Sequence, residues 1–220
     1  MLTDFHLKLL AFGLMIIDHV GRLFFPQAFF MVALGRVSFP LFAYLVANGE
    51  KYSKNIKTYL FRLVVLGVLT QPIYGHYVQL VSKQNPQLNI LFGLALGVVT
   101  IRLVKTLNNP SQKLTVVTFF SGIALLSNIE GGLNTILTII LMAMFQNNLR
   151  WWLSYVLLTV FSIAFLAHPP IALFRLGAPV ILSFHNGKQG PKSRLFYLIY
   201  PLHFLAILDV NNALKGGHGV

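Results

Sequence analysis

The chain has 220 residues, of which 56% are apolar and only 10% are charged, and its mean hydropathy is +0.72. Soluble domains carry about 25% charged residues, so this composition excludes an ordinary cytosolic domain and a disordered chain. The net charge of +12 would indicate nucleic acid in a soluble chain, but in so apolar a chain it indicates basic loops that orient membrane spans. Because cysteine is absent, disulfides, a thiolate nucleophile and a Cys-ligated metal are excluded.

Nine apolar stretches follow one another, and several approach the ~20 residues needed to cross a bilayer. They cover roughly residues 5–24, 28–48, 58–77, 88–106, 113–127, 131–146, 150–167, 171–184 and 195–212. Their hydrophobicity on all sides favours helices over the alternating strands of a membrane barrel. The fifth, sixth and eighth stretches are short, and one of them is a candidate re-entrant segment, which leaves eight to ten spans. The sequence therefore predicts an all-α integral-membrane bundle that forms a single domain over residues 1–220.

Basic residues predict the orientation of these spans. The loops after even-numbered spans hold most of them, namely Lys51, Lys54, Lys57, Arg102, Lys105, Lys113, Arg150, Lys188, Lys192 and Arg194. The positive-inside rule then places the N-terminus in the cytoplasm. No small-residue cleavage site follows the first stretch, so we expect it to be retained as a helix. The short loops exclude a soluble motor domain, and the lack of an organelle signal favours a prokaryotic plasma (inner) membrane.

Ionisable side chains inside apolar stretches mark the candidate functional site, because each costs about 2.5–3.5 kcal/mol on insertion scales. The first group is Asp18 and His19, with Arg22 three residues after His19 on the same helix face. A neutral His19 imidazole can take a proton from an amine or a hydroxyl. The alternative is a structural pair of Asp18 with Arg22, with His19 bonded to a backbone carbonyl.

Two arginines extend this candidate site. Arg36 lies too deep in its span for easy snorkelling, and Asp18, at similar depth on the preceding antiparallel helix, is its predicted partner. The pair either locks the helices or leaves Arg36 to bind an anion, and Pro40 can bend the span toward a cavity. Arg62 lies near the cytoplasmic end of the third stretch, where it either snorkels or holds a phosphate.

Further polar residues open or interrupt later spans. Asn89 is either a helix cap or a donor in a cavity. Tyr200 and His203 share a helix face, and they either line a cavity or are satisfied core residues. Glu130 precedes a helix N-terminus, where a carboxylate is favourable. Arg175 is explained only if it pairs with Glu130 or faces a cavity.

The remaining histidines are expected at the surface or in loops, namely His6, His76, His168, His185 and His218. No two histidines or carboxylates have a firm metal-ligand spacing, so no metal is predicted.

Five motifs in order resemble the TraX family, membrane proteins named for the enzyme that N-acetylates conjugative pilin. The motifs are IIDHVGR, GRVSFPLFAYLVANGE, YLFRL, QLNILFGLALG and FYLIYPLHFLAIL. That family is similar to a wider superfamily of multi-pass acyltransferases. The resemblance covers the first four spans and the last one, while the middle matches only in hydrophobicity.

The resemblance implies a bundle around a central tunnel, in which acetyl-CoA or another acyl-CoA enters from the cytoplasm. The acyl group would pass to an amine or hydroxyl of an envelope or membrane-associated acceptor, such as a polysaccharide or a protein N-terminus. The motifs carry over onto Asp18, His19, Arg36, Ser38, Arg62, Asn89, Tyr200 and His203.

Roles follow for these residues under the acyltransferase hypothesis. His19 would be the base or the acyl carrier, and Asp18 would orient it or lock Arg36. Asn89 or Tyr200 would bind the thioester oxygen. A coenzyme-binding set would contain Arg36, Ser38 and Arg62, and His203 would be a second proton carrier.

Two other functions compete with this one. A transporter or channel for a small ion or metabolite would line its path with Asp18, His19, Arg36 and Glu130. A non-catalytic assembly scaffold would pair all its polar groups and leave no cavity near His19. Nucleic acid is not an expected partner, and a homo-oligomer is left open.

Overall fold

The computed structural model describes residues 1–83, 85–166, 169–191, 193 and 195–216. Within these ranges the chain is helical, with two isolated β-bridges that join Leu2 to His185 and Leu88 to Ile129. Four residues named above lie outside the described ranges, namely His168, Lys192, Arg194 and His218. The all-α prediction is therefore confirmed for the described part of the chain.

A helix occupies each of the nine predicted apolar stretches. The helices are α1 (Asp4–Phe24), α2 (Phe29–Gly35), α3 (Ser38–Tyr52), α4 (Ile56–Ser82), α5 (Ile90–Thr106), α6 (Pro110–Leu126), α7 (Gly132–Ala143), α8 (Leu149–Phe165), a 3₁₀ helix (Pro170–Leu176) that continues into α9 (Gly177–Leu182), and α10 (Leu195–Gly216). Asparagine side chains cap α4, α5, α6 and α8 by accepting a backbone N–H, so the sequence itself specifies where these helices begin.

The second predicted span is interrupted at residues 36–37, between α2 and α3. Pro40 has no N–H to donate to the carbonyl four residues earlier, that of Arg36, so a continuous helix would leave this carbonyl unpaired. The break therefore places Arg36 at a bend in the middle of the span.

Three helical segments are long and apolar enough to cross a membrane, by length and composition: Phe29–Tyr52, which joins α2 and α3, Ile56–Ser82 and Leu195–Lys215. Shorter apolar helices in the described residues are Gly132–Ala143, Leu149–Phe165 and Pro170–Leu182. The prediction of helices able to span a membrane is thus confirmed for three segments, by length and composition. The count of nine spans and the orientation of the N-terminus stay predictions.

Helix α1 lies at the centre of the packing and contacts α2, α3, α4 and α10. Leu7, Leu41 and Phe204, from α1, α3 and α10, are completely buried in the shared core. In contrast, α4 turns apolar side chains such as Phe61 and Leu69 outward, with 68% and 66% of their surface exposed. Such a surface suits lipid, because lipid tails are as apolar as these side chains.

Candidate functional site

A cavity of about 570 Å³ runs beside α1, and we call it the α1 cavity. Six residues of α1 line it at helical spacing, namely Asp4, Lys8, Phe12, Met15, Asp18 and Arg22, and His19 joins them. At 1.5 Å per residue, the distance along α1 from Asp4 to Arg22 is about 27 Å, close to the ~30 Å of a bilayer's hydrocarbon core. The α1 cavity therefore follows one helix face over nearly the depth of a membrane.

Near one end of the cavity, the Asp18 carboxylate is held between two guanidinium groups. Arg22 Nε lies 2.8 Å from Asp18 Oδ2, and Arg36 Nη2 donates to Asp18 Oδ1 at 3.1 Å. Arg36 Nε also donates to the carbonyl of Val32 at 3.3 Å. The predicted pairing of Arg36 with Asp18 is observed, and it ties α1 to the bend between α2 and α3.

His19 forms a hydrogen bond with a second histidine from the far end of the chain. His19 Nδ1 lies 3.0 Å from His203 Nε2, and His203 Nδ1 lies 3.2 Å from the carbonyl of Ile199. A carbonyl only accepts, so His203 Nδ1 carries a proton and, in the neutral ring, Nε2 accepts from His19 Nδ1–H. This pattern assigns a lone pair to His19 Nε2, the nitrogen that a general base requires.

Aromatic rings and a backbone bond fix the position of His19. The Tyr77 hydroxyl on α4 donates to the His19 carbonyl at 2.9 Å. The His19 ring centroid lies 5.2 Å from that of Tyr77 and 4.8 Å from that of Phe204. The imidazole that lines the cavity is thus held by α1, α4 and α10 together.

Tyr200 and His203 lie on the same inward face of α10, as predicted, but at different depths. Tyr200 lines the cavity and is 5% exposed. His203 lies behind His19 rather than among the lining residues. Tyr200 can therefore reach a ligand directly, whereas His203 acts on it through His19.

Ser38 lines the cavity, but its hydroxyl is already engaged. It donates to the carbonyl of Ala11 at 2.7 Å and so joins α3 to α1. Its place in a coenzyme-binding set stays a prediction.

Two residues from the resemblance lie outside the cavity. Asn89 is completely buried, accepts from the Leu91 N–H, and donates to the Gly67 carbonyl and to Gln71 Oε1. Its amide is fully used in capping α5 and joining it to α4, so the alternative of a helix cap is the one observed. A role as donor to the thioester does not fit this geometry.

Arg62 is exposed on the outer face of α4 beside Phe61, and it makes no hydrogen bond or ion pair with the described residues. The cavity is instead lined by Tyr59, Leu63 and Leu66 of the same helix. The structure therefore favours the snorkelling alternative for Arg62 and does not bring it to the site.

The end of the cavity beyond Asp18 is lined by Glu130, Asn134 and Arg175. Arg175 faces the cavity, as one of its two predicted explanations requires, and its Nη1 lies 3.4 Å from Ser162 Oγ. Glu130 interacts electrostatically with Arg22. All four residues expected of a transport path, Asp18, His19, Arg36 and Glu130, line this one cavity.

A buried ion cluster was missed from the sequence. Glu50, at the end of α3, has a completely buried side chain and pairs with Arg102 at 2.9 Å and with Lys105, both on α5. The two basic residues had been interpreted only as orienting charges, because they are more than 50 residues from Glu50 along the chain. The cluster holds α3, a wall of the cavity, against α5.

Removing the two cations of this cluster is expected to destabilise the protein more than removing Glu50. Glu50→Gln leaves two half-exposed cations that water can solvate, for a loss of about 1.5–3 kcal/mol. Arg102→Gln with Lys105→Gln leaves a buried carboxylate unpaired, for a loss of about 3–5 kcal/mol. Thermal unfolding in detergent measures both, with the exposed Arg150→Gln as control. Equal losses would show that the Glu50 site is open to water.

The opposite end of the cavity contains a second network around His185, which lies in the loop after α9, as expected. The His185 side chain is 4% exposed, with Nε2 3.0 Å from Asp4 Oδ1 and Nδ1 3.0 Å from the Tyr44 hydroxyl. Asn48 Nδ2 also donates to Asp4, at 3.1 Å. This network fixes the start of α1 against α3 and residues 184–190. His6 and His76 are exposed, as expected.

No group of three or more His, Cys, Asp or Glu among the described residues is arranged to hold a metal ion.

Comparison with known proteins gives one family and two relatives. The model of the TraX protein family matches residues 4–211. A Dichelobacter nodosus protein described as a probable fimbrial assembly protein, FimC of serogroup H1, is 26% identical over an alignment of 239 residues that covers 97% of each chain. An uncharacterized protein of Rickettsia prowazekii (strain Madrid E) is 33% identical over 91 residues, 41% of this chain and 33% of its own. No solved structure matches.

Proposed function

The chain belongs to the TraX protein family, and from this membership we propose that it is an integral-membrane acyltransferase. It would transfer an acetyl group from cytoplasmic acetyl-CoA to an amine or hydroxyl of an envelope or membrane-associated acceptor. The observation that carries the proposal is His19 on the wall of a cavity of membrane length, with His203 hydrogen-bonded to it from behind. We further propose a prokaryotic plasma membrane as its location.

The chemical step needs a base, and His19 Nε2 supplies one. The acceptor nitrogen or oxygen attacks the thioester carbonyl carbon while His19 Nε2 takes the acceptor's proton. The tetrahedral intermediate then expels the coenzyme A sulfur, which receives that proton from His19. His203 stabilises the charged imidazolium as an acceptor for His19 Nδ1–H, so no proton is left over at the end of the cycle.

Donor binding is assigned to the end of the cavity near Asp4. Lys8 lines this end, 5.8 Å from the centroid of the Phe196 ring, together with Tyr52, Ser53 and Gln189. The basic loops assigned to the cytoplasm raise the local concentration of an anionic donor. Farther in, the cavity is lined by aromatic side chains such as Phe12 and Phe42, and this section suits a pantetheine arm, which places the thioester toward His19.

The relative's name suggests the first acceptor to try. Because the Dichelobacter nodosus protein is described as a fimbrial assembly protein, a fimbrial subunit is the acceptor that we would test before polysaccharides. An amine and a hydroxyl remain alternatives at this site, since His19 can deprotonate either.

Binding of acetyl-CoA to the purified, detergent-solubilised protein tests the proposal. Lys8→Gln is expected to weaken binding about tenfold, since a charge-assisted hydrogen bond to phosphate contributes about 1.5–3 kcal/mol. Arg62→Gln is the matched comparison and is expected to leave the Kd unchanged, because Arg62 lies outside the cavity. Calorimetry measures both.

If Arg62→Gln weakened binding and Lys8→Gln did not, the donor phosphates would be assigned to Arg62, as the sequence predicts. An absence of binding, in wild-type protein with a cooperative thermal transition, would remove the acyltransferase proposal.

A transport function is the second candidate, since its four expected residues all line the α1 cavity. It predicts solute or ion flux through proteoliposomes that is lost in His19→Ala and does not depend on acetyl-CoA. Acetyl transfer without such flux would exclude it.

A further inference from the structure

We propose that Arg22 is the catalytic residue that binds the thioester carbonyl oxygen and stabilises its negative charge during acyl transfer. The inference rests on the proposed function and deepens it. It assigns the oxyanion-binding role to a residue that the motifs had offered only as a partner for Asp18.

Arg22 has the position that this role requires. It follows His19 by three residues on α1, so the two side chains share one helix face, and both line the α1 cavity. The Arg22 side chain is 35% exposed. A carbonyl group attacked beside His19 therefore lies within reach of the Arg22 guanidinium.

The Asp18 carboxylate holds the guanidinium in place. Arg22 Nε lies 2.8 Å from Asp18 Oδ2. The other Asp18 oxygen is occupied by Arg36, so Asp18 cannot swing away without breaking that pair. A donor fixed in advance in this way needs no rearrangement when charge develops on the substrate.

The terminal amino groups of Arg22 are available to a substrate. A guanidinium has five N–H donors, four of them on Nη1 and Nη2. Neither Nη1 nor Nη2 hydrogen-bonds to any described residue. Because the side chain lines the cavity, these donors are the ones that a bound carbonyl oxygen would meet.

The other candidate donors are less suited to this role. The Asn89 amide is used between α4 and α5. Arg36 already donates from Nε to the Val32 carbonyl and from Nη2 to the Asp18 carboxylate. Lys8 lies 11 residues from His19 along α1, about 16 Å away. Tyr200 remains as a second donor beside Arg22.

In the balanced step, the acceptor attacks the carbonyl carbon and the carbonyl π electrons move onto oxygen. Arg22 stabilises this oxyanion while His19 holds the acceptor's proton. When the carbonyl re-forms, the carbon–sulfur bond breaks and the coenzyme A sulfur takes the proton back. Arg22 stays protonated throughout and exchanges no proton.

The test compares Arg22→Gln with wild type, using acetyl-CoA labelled with ¹³C at the carbonyl and an acceptor that the wild type acetylates. We expect kcat to fall at least 100-fold with little change in Kd for acetyl-CoA. The infrared band of the bound labelled carbonyl should lie at lower frequency in wild type than in Arg22→Gln. Arg150→Gln, an exposed arginine on α8, should match wild type in both measurements.

Chemical rescue tests the assignment even if the Arg22→Gln variant folds poorly. Millimolar guanidinium added to Arg22→Ala should restore part of kcat, because the ion can occupy the space of the missing group, whereas ammonium should restore less. An unchanged kcat in Arg22→Gln, or an unchanged carbonyl band alongside a lost kcat, would overturn the assignment. A wild-type protein that transfers no acetyl group would instead count against the proposed function.

Discussion

His19→Ala is expected to abolish acyl transfer while the protein still folds and binds acetyl-CoA. The variant removes the base whose Nε2 lone pair the His203 hydrogen bond assigns, so a loss of 10²–10⁴-fold in kcat is expected. His203→Phe keeps the base but removes the acceptor for its Nδ1–H, so a smaller loss of kcat is expected. Steady-state kinetics with the donor Kd measured separately distinguishes the two variants.

His76→Ala is the matched control, since His76 is an exposed histidine on α4. It should behave as wild type. Normal turnover in His19→Ala would remove His19 both as base and as acyl carrier. Equal losses in His19→Ala and His203→Phe would contradict the order of the two rings, in which His203 acts through His19.

Labelling separates the two roles left open for His19. With radioactive acetyl-CoA and no acceptor, an acyl carrier accumulates protein-bound acetyl on His19, whereas a base accumulates none. We expect no stable label, because base catalysis by His19 Nε2 accounts for the transfer without a covalent intermediate. Label lost in His19→Ala would establish ping-pong transfer.

The locations of the helices could be predicted from the sequence because they depend on apolar length alone. The pairing of Asp18 with Arg36 could also be predicted, since consecutive antiparallel spans bring residues of similar depth together and a buried charge requires a partner. The bend at residues 36–37 follows from Pro40. These features need no knowledge of which face a helix turns inward.

The rotation of each helix could not be predicted, because helices that are apolar all round lack a polar face to orient them. Arg62 and Leu63 are neighbours on α4, yet Arg62 is exposed and Leu63 lines the cavity. Asn89 also lies outside the α1 cavity. The sequence predicts that Asn89 caps α5, but it does not predict that the amide donates to Gly67.

Long-range partners were missed on different physical grounds. His185 reaches Asp4 across almost the whole chain, and the bond depends on residues 184–189 pairing with the segment before and at the start of α1. The sequence had no periodic signal for this pairing. An acid at the edge of an apolar stretch, such as Glu50 or Asp4, was the available clue, since buried acids are rare without paired cations or donors.

Gly35→Ala is expected to lower stability and to disable the site, because the added methyl group has no space. A Cβ built at Gly35 lies 2.2 Å from Asp18 Cβ and 2.5 Å from Asp18 Oδ1. Rotation of the Asp18 side chain does not move its Cβ, so α2 has to move away from α1, and this loosens the pair of Asp18 with Arg36. Overpacking of this kind costs about 1–3 kcal/mol, and a displacement of about 1 Å at a catalytic group can cost 100-fold in rate.

Gly13→Ala is the matched control for this substitution. Gly13 lies on α1 with no atom within 4 Å of a built Cβ, so alanine there should keep activity and add up to about 1 kcal/mol through helix propensity. Thermal unfolding and the transfer assay on both variants give the comparison. Because the methyl group of Gly35→Ala presses on Asp18, its activity should fall further than its Tm alone explains. A Gly35→Ala protein as active as Gly13→Ala would show that the close contact of α1 with α2 does not position Asp18 for the reaction.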